Sequence, residues 1–368
     1  MEINKNTKVT DEEIANGIKD EYGCIYSQDG KRLLKGNKDI TSYTVKEGTK
    51  VICDYAFSSC KSLQSIVIPD SVTEIGDRTF KKCSSLQSIV IPDSVTKIGN
   101  GAFYECESLQ SIVIPQSVTE IGKYAFKGCN SLQSIVIPEA VTSIGDKAFS
   151  FCCSLQSIVI PDSVTSIGNS AFDSCKSLQS IVIPDSVTSI GDRAFVVCDS
   201  LQSIVIPDSV TSIGDRAFWG CSSLQSIVIP DSVTSIGDSA FALCDSLQSI
   251  VIPESTTSIG DETFNDCCSL QSIVIPESVT SIGNYAFHGC ESLQSIVIPK
   301  GTKEHFKGVL NGYDHRFIKE IDYEKIYNGL GFCYEFGIGY KRNVAKAEEY
   351  YAKAKQLDNK ENDDDLPF

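Results

Sequence analysis

The tetrapeptide Ile-Val-Ile-Pro begins at Ile66 and returns at Ile89, Ile112, Ile135, Ile158, Ile181, Ile204, Ile227, Ile250, Ile273 and Ile296: eleven copies, 23 residues apart, without an insertion. A degenerate copy precedes them, with Tyr43-Thr44-Val45-Lys46 in the same place and Asp54-Tyr55-Ala56-Phe57 further on. A fixed period of this length restricts the chain to stacked coils, each burying its apolar face only against its neighbours. Such a core grows in one dimension, so a chain of 368 residues need not break into globular domains.

The first full copy shows how a coil closes. In Leu63-Gln64-Ser65-Ile66-Val67-Ile68, Leu63, Ile66 and Ile68 fit the inward positions of an L-x-x-L-x-L pattern, and the β-branched run predicts a short strand. Pro69 ends it, lacking the N–H a ladder needs, and Pro69-Asp70-Ser71 supplies turn chemistry. Val72 and Ile75 return the chain to the core. Gly76 is expected to turn a left-handed corner, with Asp77 capping a short helical turn that carries Thr79 (Ala in most copies) and the core filler Phe80.

The pattern C-x-S-L-Q-S-I-x-I-P-x-S-V-T-x-I-G-x-x-A-F resembles the BspA-type class of leucine-rich repeats from roughly Tyr43 to Ile298. The resemblance implies an α/β fold: a leucine-rich-repeat solenoid, a right-handed superhelix with one β-strand plus a short strand or helical turn per coil. It also implies a family many of whose members are surface-exposed adhesion or host-interaction proteins of microbes, and it implies no catalytic residues. Near the C-terminus, Leu330, Gly331, Tyr334, Gly337, Gly339, Lys346, Ala347, Tyr350, Tyr351 and Ala354 make residues 329–354 resemble one Sel-one-like repeat. That resemblance implies two antiparallel helices, in a family whose tandem copies serve as scaffolds for protein complexes.

Five segments follow. Residues 1–42 read as an N-terminal cap, with a helix from Asp11 capped by Thr10 or Asp11 and a hairpin turning at Gln28-Asp29-Gly30. Residues 43–298 form the solenoid of about twelve coils. Residues 299–320 form a C-terminal cap, apolar through Phe306, Val309, Leu310, Tyr313 and Phe317, with His305 and His315 as ordinary cap residues. Residues 321–358 form the helical pair, and 359–368, with Asp363-Asp364-Asp365, an acidic tail expected to be disordered.

Composition narrows the partners. A net charge of -16 argues against nucleic acid or an anionic membrane as principal partner. No run of 18 apolar residues exists, which argues against membrane insertion. Of 16 cysteines, eleven mark the repeat, from Cys60 to Cys290, and stacked side chains that run parallel suit a core thiol ladder better than disulfides. Cys153 and Cys268 fall where other coils carry Lys61, Asp199 or Glu291, so both are expected to be exposed.

The outward strand residues do not vary. Gln179, Ser180 and Val182, then Gln202, Ser203 and Val205, represent a concave face of uniform ladders. Variety sits in the two residues after each Phe, where Val197, Trp219 and Leu243 fall along one edge. Two readings of that edge stand: half-buried loops repacking on their neighbours, or an apolar contact patch for protein. Tyr350 and Tyr351 are the matching candidates on the helical module. The acidic column at Asp70, Asp93, Gln116, Glu139, Asp162, Asp185 and Asp208 lacks convergent oxygens for calcium. No nucleophile elbow, phosphate loop or metal triad is present, so no catalytic, cofactor or metal residues are assigned. The expectation is a monomeric, non-enzymatic interaction scaffold for unidentified protein partners, without cofactor. It is placed in the cytoplasm because Met1-Glu2-Ile3-Asn4-Lys5 opens no apolar signal segment and the thiols look reduced. The alternative is a cell-surface or secreted adhesin.

Overall fold

Each coil opens with a three-residue strand, and alternation decides its two faces. In Ser180–Val182 the central Ile181 is 4% exposed while Val182 is 73% exposed, because successive strand side chains point to opposite sides. In the computed structural model, which describes residues 7–302, 318–321 and 343–363, these strands pair in parallel with their equivalents 23 residues on. Ser134, Ile135 and Val136, for example, align with Ser157, Ile158 and Val159. A second ladder forms around the inward Ile of the later Ser-Ile pair, as in Ser235–Ile236 against Ser258–Ile259. The fold is a β-solenoid.

The chain divides into two compact units, Met1–Gln271 with Ser278–Leu293, and Ser272–Glu277 with Gln294–Phe368. The first opens with α1 (Asp11–Asn16), β1 (Ile18–Lys19), β2 (Ile25–Tyr26) and β3 (Arg32–Lys35). Thr10 caps α1 in a reciprocal capping box with Glu13. Glu13 also pairs with Arg32, a side chain only 5% exposed. The hairpin of β2 and β3 is antiparallel, with Gly30 at φ +69° in its turn. β3 then lies parallel to Val51–Ile52, so the cap supplies the first rung of the second ladder. In the second unit Ser272–Val274 pairs with Ser295–Val297, and Ile296 with Ile318. The strand Ile318–Ile321 is therefore one more parallel rung, 22 residues on, where no repeat consensus marks it. The residues at 303–317 and 322–342, including Phe306, Val309, Leu310, Tyr313, Phe317, His305, His315 and the Leu330–Gly339 part of the helical pair, lie outside the described residues.

The interior of the first unit is a column of rings. Phe57 to Phe287 stack with successive centroids 5.4–5.8 Å apart and planes within 11°. Each is buried. Beside them run the repeat cysteines, and their role is more than that of a small hydrophobe. From Cys83 to Cys290 each Sγ donates to the carbonyl of the Phe 26 residues earlier, at 3.1–3.3 Å. That carbonyl already accepts the N–H of the Cys in its own coil, as Phe149 O does from Cys152. The thiol occupies its second lone pair, where water cannot reach. Serine in the Pro-x-Ser turn does similar work: Ser186 Oγ donates to Val164 O and Ser209 Oγ to Val187 O, both at 2.6 Å.

Two sequence expectations change here. The corner glycine is not left-handed: Gly76 is absent from the positive-φ residues, while Arg78 (φ 53°) and Lys82 (φ 61°) in the same coil are among them. Glycine is required there for closeness instead, since a Cβ on Gly76 would lie 2.4 Å from Asp54 Oδ1 and 2.6 Å from Asp54 N. The first coil carries Cys53 at this position because the N-terminal cap, rather than another coil, lies below it. The expected helical turn is also replaced, by consecutive β-turns from Asp77 to Lys82. Their N–H groups bond the next coil, Arg78 to Asn100 O, Phe80 to Ala102 O and Lys82 to Tyr104 O, so none is left for a helix.

Phe172→Ala should therefore cost about 3–5 kcal/mol in chemical denaturation, because both neighbouring rings are held in place and cannot close the cavity. Less than about 1 kcal/mol would show that the column relaxes. Burial pushes the repeat thiols up from their ordinary 9.0, Cys60 to about 11 and Cys290 to about 12. The folded state thus holds these protons when the unfolded state has lost them. Their contribution is complete below pH 9 and declines as pH rises toward the folded values, at about 1.4 kcal/mol per unit for each thiol. Circular dichroism against pH should show unravelling above pH 9, later when Cys175 and Cys198 are both replaced by Ala.

Candidate functional site

Three surfaces are available for recognition, and the backbone builds all three identically in each coil. The first is the outer strand face. Its Gln179, Ser180, Val182, Gln202, Ser203 and Val205 are all exposed, Val182 at 73% and Val205 at 67%. It presents the same rung repeatedly, an apolar stripe flanked by amides and hydroxyls.

The second is the corner after each Ile-Gly. There one carboxylate or amide oxygen per coil replaces a backbone acceptor: Asp192 Oδ1 accepts from Asp215 N at 3.1 Å, Asp215 from Asp238 at 2.9 Å and Asp238 from Asp261 at 2.8 Å. These oxygens are committed to holding coil on coil. Asn100 and Asn169 fill the same role with their amide oxygens. At Lys123 the acceptor is lost, and its ammonium pairs with Asp146 Oδ2 at 2.8 Å instead. Among the described residues no group of His, Cys, Asp and Glu has the arrangement to hold a metal.

The third surface is the edge made by the β-turns around each Phe, and only here do side chains change from coil to coil. Two positions per coil hold left-handed backbone. One column runs Tyr55, Arg78, Gly101, Tyr124, Lys147, Ser170, Arg193, Arg216, Ser239, Glu262, Tyr285. The other runs through Lys82, Glu105, Phe151, Ser174, Val197, Leu243 and Asp266, interrupted by Gly128, Gly220 and Gly289. Left-handed φ turns the alternate N–H groups toward the next coil, at the cost of strain for any residue but Gly, Asn or Asp.

The structure brings Val197 and Trp219 together: Val197 N donates to Trp219 O at 2.8 Å. Val197 lies beneath Gly220, and Leu243 follows one coil later. All three side chains are half-buried. Cys153 and Cys268 are half-buried too rather than exposed, and burial beside Asp245, Glu291 and Asp266 raises the Cys268 thiol. On α2 (Val344–Asp363), Tyr350 and Tyr351 are half-buried, and Lys353 lies over the Tyr350 ring at 5.4 Å while pairing with Glu349 at 3.2 Å. Ala347 and Ala354, seven apart on one helix face, are buried. Sequence reasoning missed the alternating lysines and aromatics of the edge in coils near the N-terminus. Each residue there is unremarkable alone, and the signal lies only in comparing positions 23 apart.

The BspA type leucine rich repeat region matches the chain over residues 30–152, 96–225, 142–269 and 211–326. No curated protein matches. Among solved structures, a leucine-rich repeat protein from Bacteroides ovatus shares 30% identity over 79% of this chain and 86% of its own, with a TM-score of 0.59. A leucine rich cell surface protein from Faecalibacterium prausnitzii shares 31% identity over 80% and 97%, with a TM-score of 0.49. The pneumococcal vaccine antigen PcpA shares 17% identity over 83% and 95%, with a TM-score of 0.52.

Val197 is the β-branched residue least suited to its left-handed φ of 54°. Strain of this kind costs on the order of 1–3 kcal/mol. Val197→Gly should raise stability by about 1 kcal/mol in thermal denaturation, and an unchanged or lower midpoint would show that packing on Gly220 outweighs the strain.

Proposed function

The chain belongs to the BspA-type leucine-rich repeat family, and from that premise we propose that it is a non-enzymatic protein-binding solenoid displayed at a cell surface or secreted. The carrying observation is the turn edge, the surface on which coils with the same backbone differ in side chain. Recognition of one partner over another needs such differences. The outer strand face, identical from rung to rung, could hold a partner only without register.

Thiols do not decide the compartment. Their burial and raised proton affinity keep them in the unreactive thiol form, and a buried thiol survives in oxidising surroundings as in reducing ones. Family membership then favours the exposed setting over the intracellular scaffold. In either setting α2, read as the second helix of a Sel-one-like pair, offers Tyr350 and Tyr351 as a further protein contact.

Two measurements test this. Protease treatment of intact cells should remove the protein from the cell-bound fraction, or culture medium should contain it; recovery wholly inside protease-resistant cells favours the scaffold. For a partner recovered by cross-linking, Val197→Ser with Trp219→Ala should weaken binding at least tenfold, and Val182→Ser with Val205→Ser less than twofold. The opposite ranking puts binding on the outer strand face.

A further inference from the structure

The charge of the turn edge is not that of the chain. Against a net charge of -16, the edge from Tyr55 to Phe151 carries Arg78, Lys81, Lys82, Lys123, Lys127 and Lys147. Of these, Lys82 pairs with Glu105 at 3.5 Å and Lys123 with Asp146 at 2.8 Å. Among the described residues Arg78, Lys81, Lys127 and Lys147 form no ion pair. They are held by rings instead. Lys127 Nζ lies 5.7 Å from the Tyr104 centroid, 5.9 Å from Tyr124 and 5.6 Å from Phe151. Lys81 lies 5.4 Å from Tyr104, Lys147 6.0 Å from Tyr124, and the Arg78 guanidinium 5.6 Å from Tyr55. Because the left-handed positions repeat, rings and cations of neighbouring coils interleave along the edge.

Cations positioned over rings keep their outer N–H groups for an anion and lose less rotamer freedom on binding one. At its N-terminal end the stripe opens into a groove. Val9, Ile14 and Leu34 line it with Lys8, Lys35 and Arg78. Asp54 and Asp77 reach the same groove, but each commits its Oδ1 to the N–H of the next coil.

We propose that this stripe and groove bind an acidic polypeptide segment carrying an apolar side chain, carboxylates on Arg78, Lys81, Lys127 and Lys147 and the apolar residue in the groove. The proposal rests on the reading of the turn edge as the recognising surface, and names the partner's chemistry. Charge complementarity fixes the sign of the occupant. Its class follows from scale: a long polyanion would meet the field of the remaining acidic surface, whereas a short peptide stays within a screening length of about 10 Å of the stripe. The apolar lining gives a sugar sulfate or a phosphate nothing to bury.

The test uses the full chain and a fluorescent twelve-residue glutamate-rich peptide containing one leucine, read by anisotropy. Saturable binding is expected that weakens with salt and vanishes when glutamine replaces glutamate. The variant R78Q/K81Q/K127Q/K147Q should lose at least tenfold in affinity, with its melting temperature confirming the fold. Removing four charges elsewhere, K97Q/K176Q/R193Q/R216Q, should change affinity less than twofold. Equal losses in the two variants overturn the proposal, as does tighter binding to a heparin oligosaccharide or to phosphatidylserine vesicles than to the peptide, or no peptide binding. None of these outcomes touches the Trp219 and Val197 comparison above, so the two readings fail separately.

Discussion

Every coil is bonded to the next through the same atoms, residue to its equivalent 23 positions on, and most other features follow from that constraint. Parallel strands, the Ile bridges and the turn-edge N–H groups all point along one axis. A coil that differed in length would break three ladders at once, which accounts for the absence of insertions between Ile66 and Ile296. It also explains why side chains are recruited as backbone. Asp Oδ1, Ser Oγ and Cys Sγ each supply a bond that the main chain of a coil cannot make to its neighbour.

The same constraint separates stability from recognition. Phe, Cys, Leu and Ile are buried in coil after coil, and a change in any is felt by two neighbours. The residues flanking each Phe are free to vary because their backbone alone makes the inter-coil bonds. Thus the edge holds lysines over rings in early coils, Val197 and Trp219 in middle ones, and Asp245, Glu262 and Asp266 later. A uniform scaffold with one variable margin is the physical basis of the binding reading.

Much of this was legible in the chain. Period, strand, Pro-terminated rung, inward Leu63, Ile66 and Phe80, Thr10 cap and Gln28-Asp29-Gly30 hairpin are local signals, and the structure has them. What could not be read depends on the coil above or below. Gly76 looked like a turn glycine, but it is a contact glycine, made so by Asp54. Arg78 and Lys82 carry no preference for left-handed φ, and the ladder imposes it. Cysteine read as filler because its acceptor, a Phe carbonyl 26 residues back, becomes a neighbour only after stacking. The candidate patch suffered likewise: Val197 and Trp219 could be placed on one edge, whereas the stripe at Lys127 emerges only when three coils are superposed.

The corner ladder has one more consequence. Since a single side-chain oxygen is used at each step, Asn100 and Asn169 serve where Asp192 or Asp215 serve elsewhere, and the second carboxylate oxygen is structurally spare. Exchanging acid for amide along this column would alter the electrical character of the molecule by a full unit per coil and leave its architecture untouched. Mutation in such a lineage can retune solubility and long-range attraction in small, independent increments, a freedom that compact proteins with shared interiors seldom have.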